Sequence, residues 1–516
     1  MLWLALHLPL LSLETFCATL PADVQQRPAA LLDAHRIATV NAAAAECGIR
    51  PGQKRATALA LAADLLLAEH SPARDAAALQ AVVHAALAFT PAVTLQDAQT
   101  VLLEVQPSLR LFGGLAALQQ RLAAALAPLG HRIHWAAAPT ALGAALLARW
   151  QPCGPGDHVT GDLVTGKHAT QLPALQALLD AAPVWLLGPG REHWEALQGM
   201  SLRTLSDLRA LPRAGLARRF GAGLLDELDR ALGRKADPRR WLTLPAVFDS
   251  RLELYARADT AEQVLHGAAV LLARLVAWAQ ARQARVGGFT LRMLHERQRQ
   301  ALVPATEVAV ELAEPALDAA HLQLLLRERL GRAELAAPTL ELQLQCSRLV
   351  ATPAPNGELF PSHAGQAEGL TRLLERLCAR LGEAQVQRLE AVADHRPERA
   401  SRSVPAQRAI AAGPAAGALP AQADATLPLH RPAWLLPEPL PLAERDALPW
   451  LEGRPLTLLS GPERIETGWW DDAPVARDYY IAQAASGALV WVYCGRLPAA
   501  ADAAGEVNWF MQGLFA

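Results

Sequence analysis

The chain has 516 residues, too many for one core, and at roughly 150 residues per domain it should hold three to four domains. Its 52 % hydrophobic content lets most of it fold, and a net charge of −2 excludes a uniformly basic nucleic-acid coat while allowing a local basic face. The six cysteines, at 17, 47, 153, 346, 378 and 494, form no CxxC pair, so they read as reduced thiols, neither a disulfide framework nor a zinc site.

The opening run "MLWLALHLPLLSLETFC" has no Lys or Arg before Arg27 and is interrupted by His7 and Pro9. It therefore reads as a buried strand of a cytoplasmic protein rather than a secretion signal. No later stretch reaches the roughly 18 uncharged apolar residues of a membrane span, so no membrane is expected. Strands are predicted at Leu2–His7, Ala92–Gln96, Val101–Val105 and Arg132–Trp135, with helices over 115–127 and 140–150 and a helical, Ala/Leu-rich insertion over roughly 25–88. With the insertion set aside, the order is that of a βαββαβ sheet with one extra helix.

Residues 161–240 read as short helices joined by Gly/Pro turns, and between Ser201 and Arg240 ten Lys/Arg face five Asp/Glu. Arg203, Arg209, Arg213, Arg218 and Arg219 lie between and along these helices, a pattern suited to phosphate oxygens, although a solvated Arg-rich surface has the same composition. Over 246–346 the periodicity is plainer. Thr260 and Gln263 form a capping-box pattern ahead of an amphipathic helix whose apolar face is Val264, Ala268, Leu271, Leu272 and Leu275. "VGGFTLRMLH", "EVAVEL" and "TLELQLQC" alternate in the manner of strands. The order is βαββαβ again, an α+β domain with one polar sheet face.

Past 350, "ATPAPNGELFPSHAG" is a Pro-rich tether carrying one apolar pair, Leu359–Phe360, and 366–392 reads as one amphipathic helix or two broken near Gly382. Residues 396–449 are rich in Pro and Ala and are expected to be extended. "RIETGWW", "RDYYIAQA" and "ALVWVYC" read as short strands with a hairpin at Gly487. Three of the four Tyr and four of the thirteen Trp fall after residue 468, so Trp469, Trp470, Tyr479, Tyr480, Trp491 and Trp509 either form the core of a small β module or anchor an interface.

A split α+β domain, a basic helical region and a second α+β domain resemble the palm, fingers, thumb and little finger of Y-family translesion DNA polymerases. The motifs "SLRLFGG", "GIRPGQKRATALALA", "DHRPER" and "SGPERIETGWWD…RDYY" resemble, more closely, the catalytically degenerate polymerase-like subunit of a bacterial mutagenesis cassette. The resemblance implies palm-like segments at 1–15 and 75–160, helical fingers at 16–74, a thumb at 161–240 and a little finger at 241–350. It further implies a clamp-binding tether at 351–365, a helical segment at 366–395, a linker at 396–449 and a partner-docking β module at 450–516.

Nucleotidyl transfer needs two divalent metals held by clustered carboxylates. Aligned on the family, the first-strand acids become Ala5 and His7 and the hairpin Asp-Glu becomes Gln99 and Thr100, with Glu104 matching a structural acid downstream. The family's triphosphate contacts fall at Ala42, Ala45 and Thr140. No catalytic residue, metal or cofactor is therefore expected. The resemblance implies contacts instead: DNA, the sliding clamp (beta subunit) through Asn356, Gly357, Glu358, Leu359 and Phe360, and a RecA-like protein and an error-prone alpha-subunit polymerase through the aromatic end. The alternatives are an active polymerase using Glu104, Asp97 and His7, and a general nucleic-acid-binding protein unrelated to replication.

Overall fold

A computed structural model describes residues 1–21, 24–150, 163–296, 304–351, 363–406, 431–496 and 508–515. The described chain forms two compact units, Met1–Gly369 and Leu370–Ala516.

The first unit is built on the opening run. Trp3–His7 is the central strand of a five-stranded sheet ordered Val93–Asp97, Thr100–Glu104, Trp3–His7, Ile133–Ala138, Leu163–His168. Its alternation serves two cores. Leu2, Leu4 and Leu6 pack with residues of the helices Pro72–Leu87 and Leu115–Leu126, whereas Trp3 and Ala5 face the helix Ala141–Arg149. A strand covered on both faces must be apolar at successive positions, which is why this run looked like a signal. The family-like βαββαβ order is present, and a fifth strand joins it in parallel to Ile133–Ala138. That strand, Leu163–His168, lies where only helices were expected.

The segment 16–74 is not purely helical. Ala29–Asp33 pairs with Arg36–Val40 and, in parallel, with Leu66–Glu69, flanked by the short helices Ala42–Glu46 and Arg55–Leu61. A four-residue apolar run such as "AALL" is helix or strand by periodicity alone. Here packing of Ala29 and Leu31 against Leu13, Phe16 and Leu20 selects strand. "SLRLFGG" is likewise a one-turn helix, Leu109–Phe112, ended by Gly113 at φ +81°, a left-handed conformation that suits glycine.

Six short α-helices between Leu172 and Ala231 form the basic helical domain, and their leucines join the core under Ala141–Arg149. The βαββαβ domain follows as expected, with strand order Thr306–Ala316, Ala284–His295, Thr339–Ala351, Asp249–Ala258. Thr260 and Gln263 close a reciprocal capping box, a device that contributes about 1 kcal/mol. Phe289, Leu291 and Met293 are fully buried, each stabilising by roughly 1.5–3 kcal/mol. The helix Ala261–Ala281 has the length and apolarity of a bilayer span. Its apolar side chains instead pack on the sheet, on Ala319–Leu330 and on Pro72–Leu87.

The helix His363–Leu381, which ends in the second unit, stops at Gly382, whose φ is +99°. The expected helical continuation to 392 is a strand, Gln387–Ala391, paired with Ser401–Pro405. The expected linker 396–449 is also partly structured. Residues 407–430 lie outside the described residues, but Trp434–Pro441 forms one edge of a five-stranded antiparallel sheet. Its prolines are tolerated because an edge strand leaves N–H positions unpaired. The rest of that sheet runs Trp509–Leu514, Leu489–Gly495, Val475–Gln483, Thr457–Thr467.

Candidate functional site

The register brings Ala5, His7, Gln99 and Thr100, the positions expected to be degenerate, to one region of the first sheet. His7 lies opposite Thr100 and Ala5 opposite Leu102, while the backbone carbonyl of Gln99 accepts from Leu8 N at 2.8 Å. His7 Nδ1 and Thr100 Oγ1 are 3.0 Å apart. Ala5 is fully buried and carries no ligand atom. A cleft of about 610 Å³ opens here, bounded by His7, Asp97, Gln99, Arg149 and Arg191.

The carboxylates of this cleft are already engaged. Asp97 pairs with Arg149. Asp75 takes hydrogen bonds from Ser12 and from Thr15 Oγ1 (3.0 Å) and contacts His70 Nε2 at 3.0 Å. Glu104 faces Trp3, four residues from Thr100 along the strand, or about 13 Å at the rise of an extended chain. Asp97, Glu104 and His7 therefore do not converge. Among the described residues no three His, Cys, Asp or Glu side chains gather as a ligand set. A guanidinium beside Asp97 and neutral donors at 7, 99 and 100 do not fit a pair of magnesium ions. Thr140 is a helix N-cap, accepting from Gly143 N and donating to Ala231 O at 2.7 Å. Sequence reasoning missed Arg149 and Asp75, because nothing in their local spacing marks them.

Burial, then the charge of Arg149 and His134, pushes His7 down to about 3, and burial pushes His84 of the helix Pro72–Leu87 down to about 4. Both rings are neutral when folded and bind a proton more readily when unfolded. Their contribution is complete above pH 6.5 and is lost as pH falls toward those values. Chemical denaturation at pH 5.5 should show a loss of roughly 1 kcal/mol per histidine relative to pH 7.5. His84→Gln should remove its share, and an unchanged pH slope in that variant would refute the assignment.

Of the five candidate DNA-binding arginines, Arg203, Arg213, Arg218 and Arg219 are exposed and Arg209 is half-buried. Arg209 pairs with Asp180 and braces the helical domain, whereas Arg213 pairs with Asp229 at the surface. On the open sheet face of the βαββαβ domain the cations are compensated: Arg292 pairs with Glu307 at 2.8 Å and Arg251 with Glu341 at 3.7 Å. The pentad Asn356–Phe360 lies outside the described residues.

In the second unit two motifs quoted from the sequence meet. Arg396 of "DHRPER" is 2 % exposed and bonds Asp394 (Nη2–Oδ2 2.7 Å) and Asp471 of "GWWD" (Nη2–Oδ2 2.6 Å), with its guanidinium 5.9 Å from the Trp470 ring. The bonds from Arg396 hold the Asp394 carboxyl down to about 2. Glu398 accepts from Arg477 and Gln512, and the Tyr479 hydroxyl donates to Gln512 Oε1 at 2.6 Å. The turn between these strands requires Gly468: φ is +84°, and a Cβ would come within 2.2 Å of the Ala473 carbonyl oxygen.

This network separates the aromatic candidates. Trp469 is 80 % and Trp470 53 % exposed, their rings edge to face at 5.4 Å. Tyr479 is 1 % exposed and stacks on Trp491 at 4.1 Å, so it is core and not a docking residue. Tyr480 is half-buried against Trp509. Alternation along Val475–Gln483 puts Tyr479 and Tyr480 on opposite faces, a distinction the pair "YY" does not disclose.

A family model described as the impB/mucB/samB family matches residues 14–149. Solved structures that resemble the chain include a Dbh ternary complex (TM-score 0.38, 14 % identity) and DinB from Sulfolobus solfataricus (TM-score 0.37, 15 % identity), each covering 68 % of this chain and all of the other. With its family match, palm-like sheet, helical domain and second α+β domain, this is a Y-family-polymerase-like protein. Protein ImuB of Caulobacter vibrioides, in two strains, is 30 % identical over 487 residues, spanning 91 % of this chain and the whole of that protein. The chain belongs to the ImuB family.

Proposed function

We propose that this chain is a non-catalytic, polymerase-shaped hub of SOS-induced mutagenic translesion synthesis, acting in the cytoplasm. It links DNA, the sliding clamp, the RecA-like ImuA and the error-prone alpha-subunit polymerase ImuC. The observation that carries the reading is the palm cleft, lined by His7 and Gln99, where Arg149 neutralises Asp97; with Ala5 and Thr100 these would stand at the family's metal-ligand positions. A guanidinium adjacent to Asp97 supplies the positive charge that a metal would bring, without its coordination sites. Exposed Arg203, Arg218 and Arg219 would hold phosphates, Asn356–Phe360 would reach the clamp, and Trp469 and Trp470 would meet a protein partner.

Primer extension by the full chain tests this. With Mg²⁺ and then Mn²⁺, the expected result is no nucleotide added to a primer that the protein demonstrably binds. Extension that disappears in Asp97→Asn or Glu104→Ala would overturn the reading in favour of an active polymerase with unconventional ligands.

A further inference from the structure

A second cleft, of about 740 Å³, lies between the helix Pro72–Leu87 and the first strand of the βαββαβ domain, Asp249–Ala258. It is separate from the palm cleft and shares none of its lining residues. Its inner wall holds cationic and polar groups that the fold leaves incompletely satisfied. Arg274, on the helix Ala261–Ala281, is 6 % exposed. Its Nη1 reaches only Ser250 Oγ at 3.3 Å and the Arg251 carbonyl at 3.4 Å, and among the described residues no carboxylate pairs with it. Burial lowers it to about 10, so at neutral pH it is a charged group in a poorly solvated place. Arg74 donates one bond, to the Glu69 carbonyl, and its buried Nε has no partner. His84 is 7 % exposed, and its Nε2 is also without a partner.

The acids around the cleft compensate Arg251 and act on Arg74, but leave Arg274 without a partner among them. Asp249 accepts from the amides of Gln343 and Gln345, and Glu341 pairs with Arg251. Asp75, and then Glu253 at the exposed mouth, act on Arg74 through space without forming an ion pair with it. Three arginines and three carboxylates line the cleft, so its charge balances overall, and the local excess lies at Arg274, which has no carboxylate partner among the described residues. A buried charge without a counter-ion is unfavourable, and an anion that takes several charge-assisted hydrogen bonds relieves it. Planar guanidiniums from two different helices match the several oxygens of a phosphate, and the volume accommodates a ligand of nucleotide size.

We propose that this cleft binds a phosphate group, with Arg274 and Arg74 as its principal donors. The phosphate belongs either to a free nucleotide or to a nucleic-acid strand. The proposal does not depend on the hub reading, since free phosphate alone can test it.

Line broadening in ³¹P NMR of inorganic phosphate and of a deoxynucleoside monophosphate, titrated with the full chain, measures the first source. Affinity for a single-stranded oligonucleotide without a terminal phosphate measures the second. Binding should weaken at least about tenfold in Arg274→Met and in Arg74→Gln, and stay unchanged in Arg332→Ala, an exposed control. Broadening by the small molecules assigns the site to free nucleotides. An oligonucleotide affinity lost in the same two variants, with the small molecules silent, assigns it to a strand. If the folded wild-type chain binds none of the three, or if Arg74→Gln and Arg274→Met both bind like wild type, the proposal is wrong. Failure of the hub reading would show separately, as primer extension.

Discussion

On the proposed hub role, Trp469→Ala should weaken binding of ImuA or ImuC by about 30-fold or more while leaving the melting behaviour of the protein unchanged. An indole that is 80 % exposed contributes little to its own fold, and surface substitutions of this kind shift stability by about 0.5 kcal/mol or less. An exposed aromatic on a rigid support is the kind of residue that dominates an interface, where truncation costs about 2–4 kcal/mol. The support here is specific. Trp470 lies edge to face against Trp469 and over Arg396, which is fixed by Asp394 and Asp471. The indole pair is thus held before any partner arrives, which lowers the entropy lost on docking. Affinities measured for both partners against Trp469→Ala decide the matter, and unchanged values for both would show that these rings are surface features without a docking role.

Trp491→Ala should have the opposite signature, a large loss of stability confined to the second unit. Trp491 is 2 % exposed, stacks on Tyr479 with rings nearly parallel, and lies in the strand Leu489–Gly495 between two neighbours of the sheet. Truncating a buried indole costs about 3–5 kcal/mol, a large part of the roughly 5–15 kcal/mol that holds a domain together. Hydrogen exchange read strand by strand should show protection falling across Thr457–Thr467, Val475–Gln483, Leu489–Gly495 and Trp509–Leu514 while the sheet around Trp3–His7 keeps its own. Trp491→Phe, which retains most of the ring area, should recover much of the loss. A change below about 1 kcal/mol in the alanine variant would mean that the sheet is held by something other than this stack.

The two indoles lie 22 residues apart in a short aromatic-rich stretch, and they are expected to behave in opposite ways. Composition placed them together as either core or interface. Register separated them: Trp491 is on a strand paired on both sides, whereas Trp469 and Trp470 follow the end of Thr457–Thr467 in the turn at Gly468. The same distinction governs the arginines of the helical domain. Local charge counts all five alike, yet Arg209 and Arg213 face Asp180 and Asp229. Of these two carboxylates Asp180 lies on the neighbouring helix Leu172–Asp180, where no count over 201–240 would find it.

What the sequence determined by itself follows from short-range rules. The helix 261–281 was legible because its cap, its period and its apolar face agree. The alternating strands of the βαββαβ domain were legible because one face is buried and the other polar. That positions 5, 7, 99 and 100 hold Ala, His, Gln and Thr, none of them a carboxylate, is legible in the sequence because it does not depend on the fold. The tertiary structure alone decided the rest, because those features depend on groups far apart in the chain. Arg149 meets Asp97 across 52 positions and Arg396 meets Asp471 across 75. The strand at 29–33 is a strand because of what packs on it, and residues 431–441 acquire order from a sheet whose other strands come later. The partner of a charge, and the face on which a ring lies, belong to the packed chain and not to its neighbours in sequence.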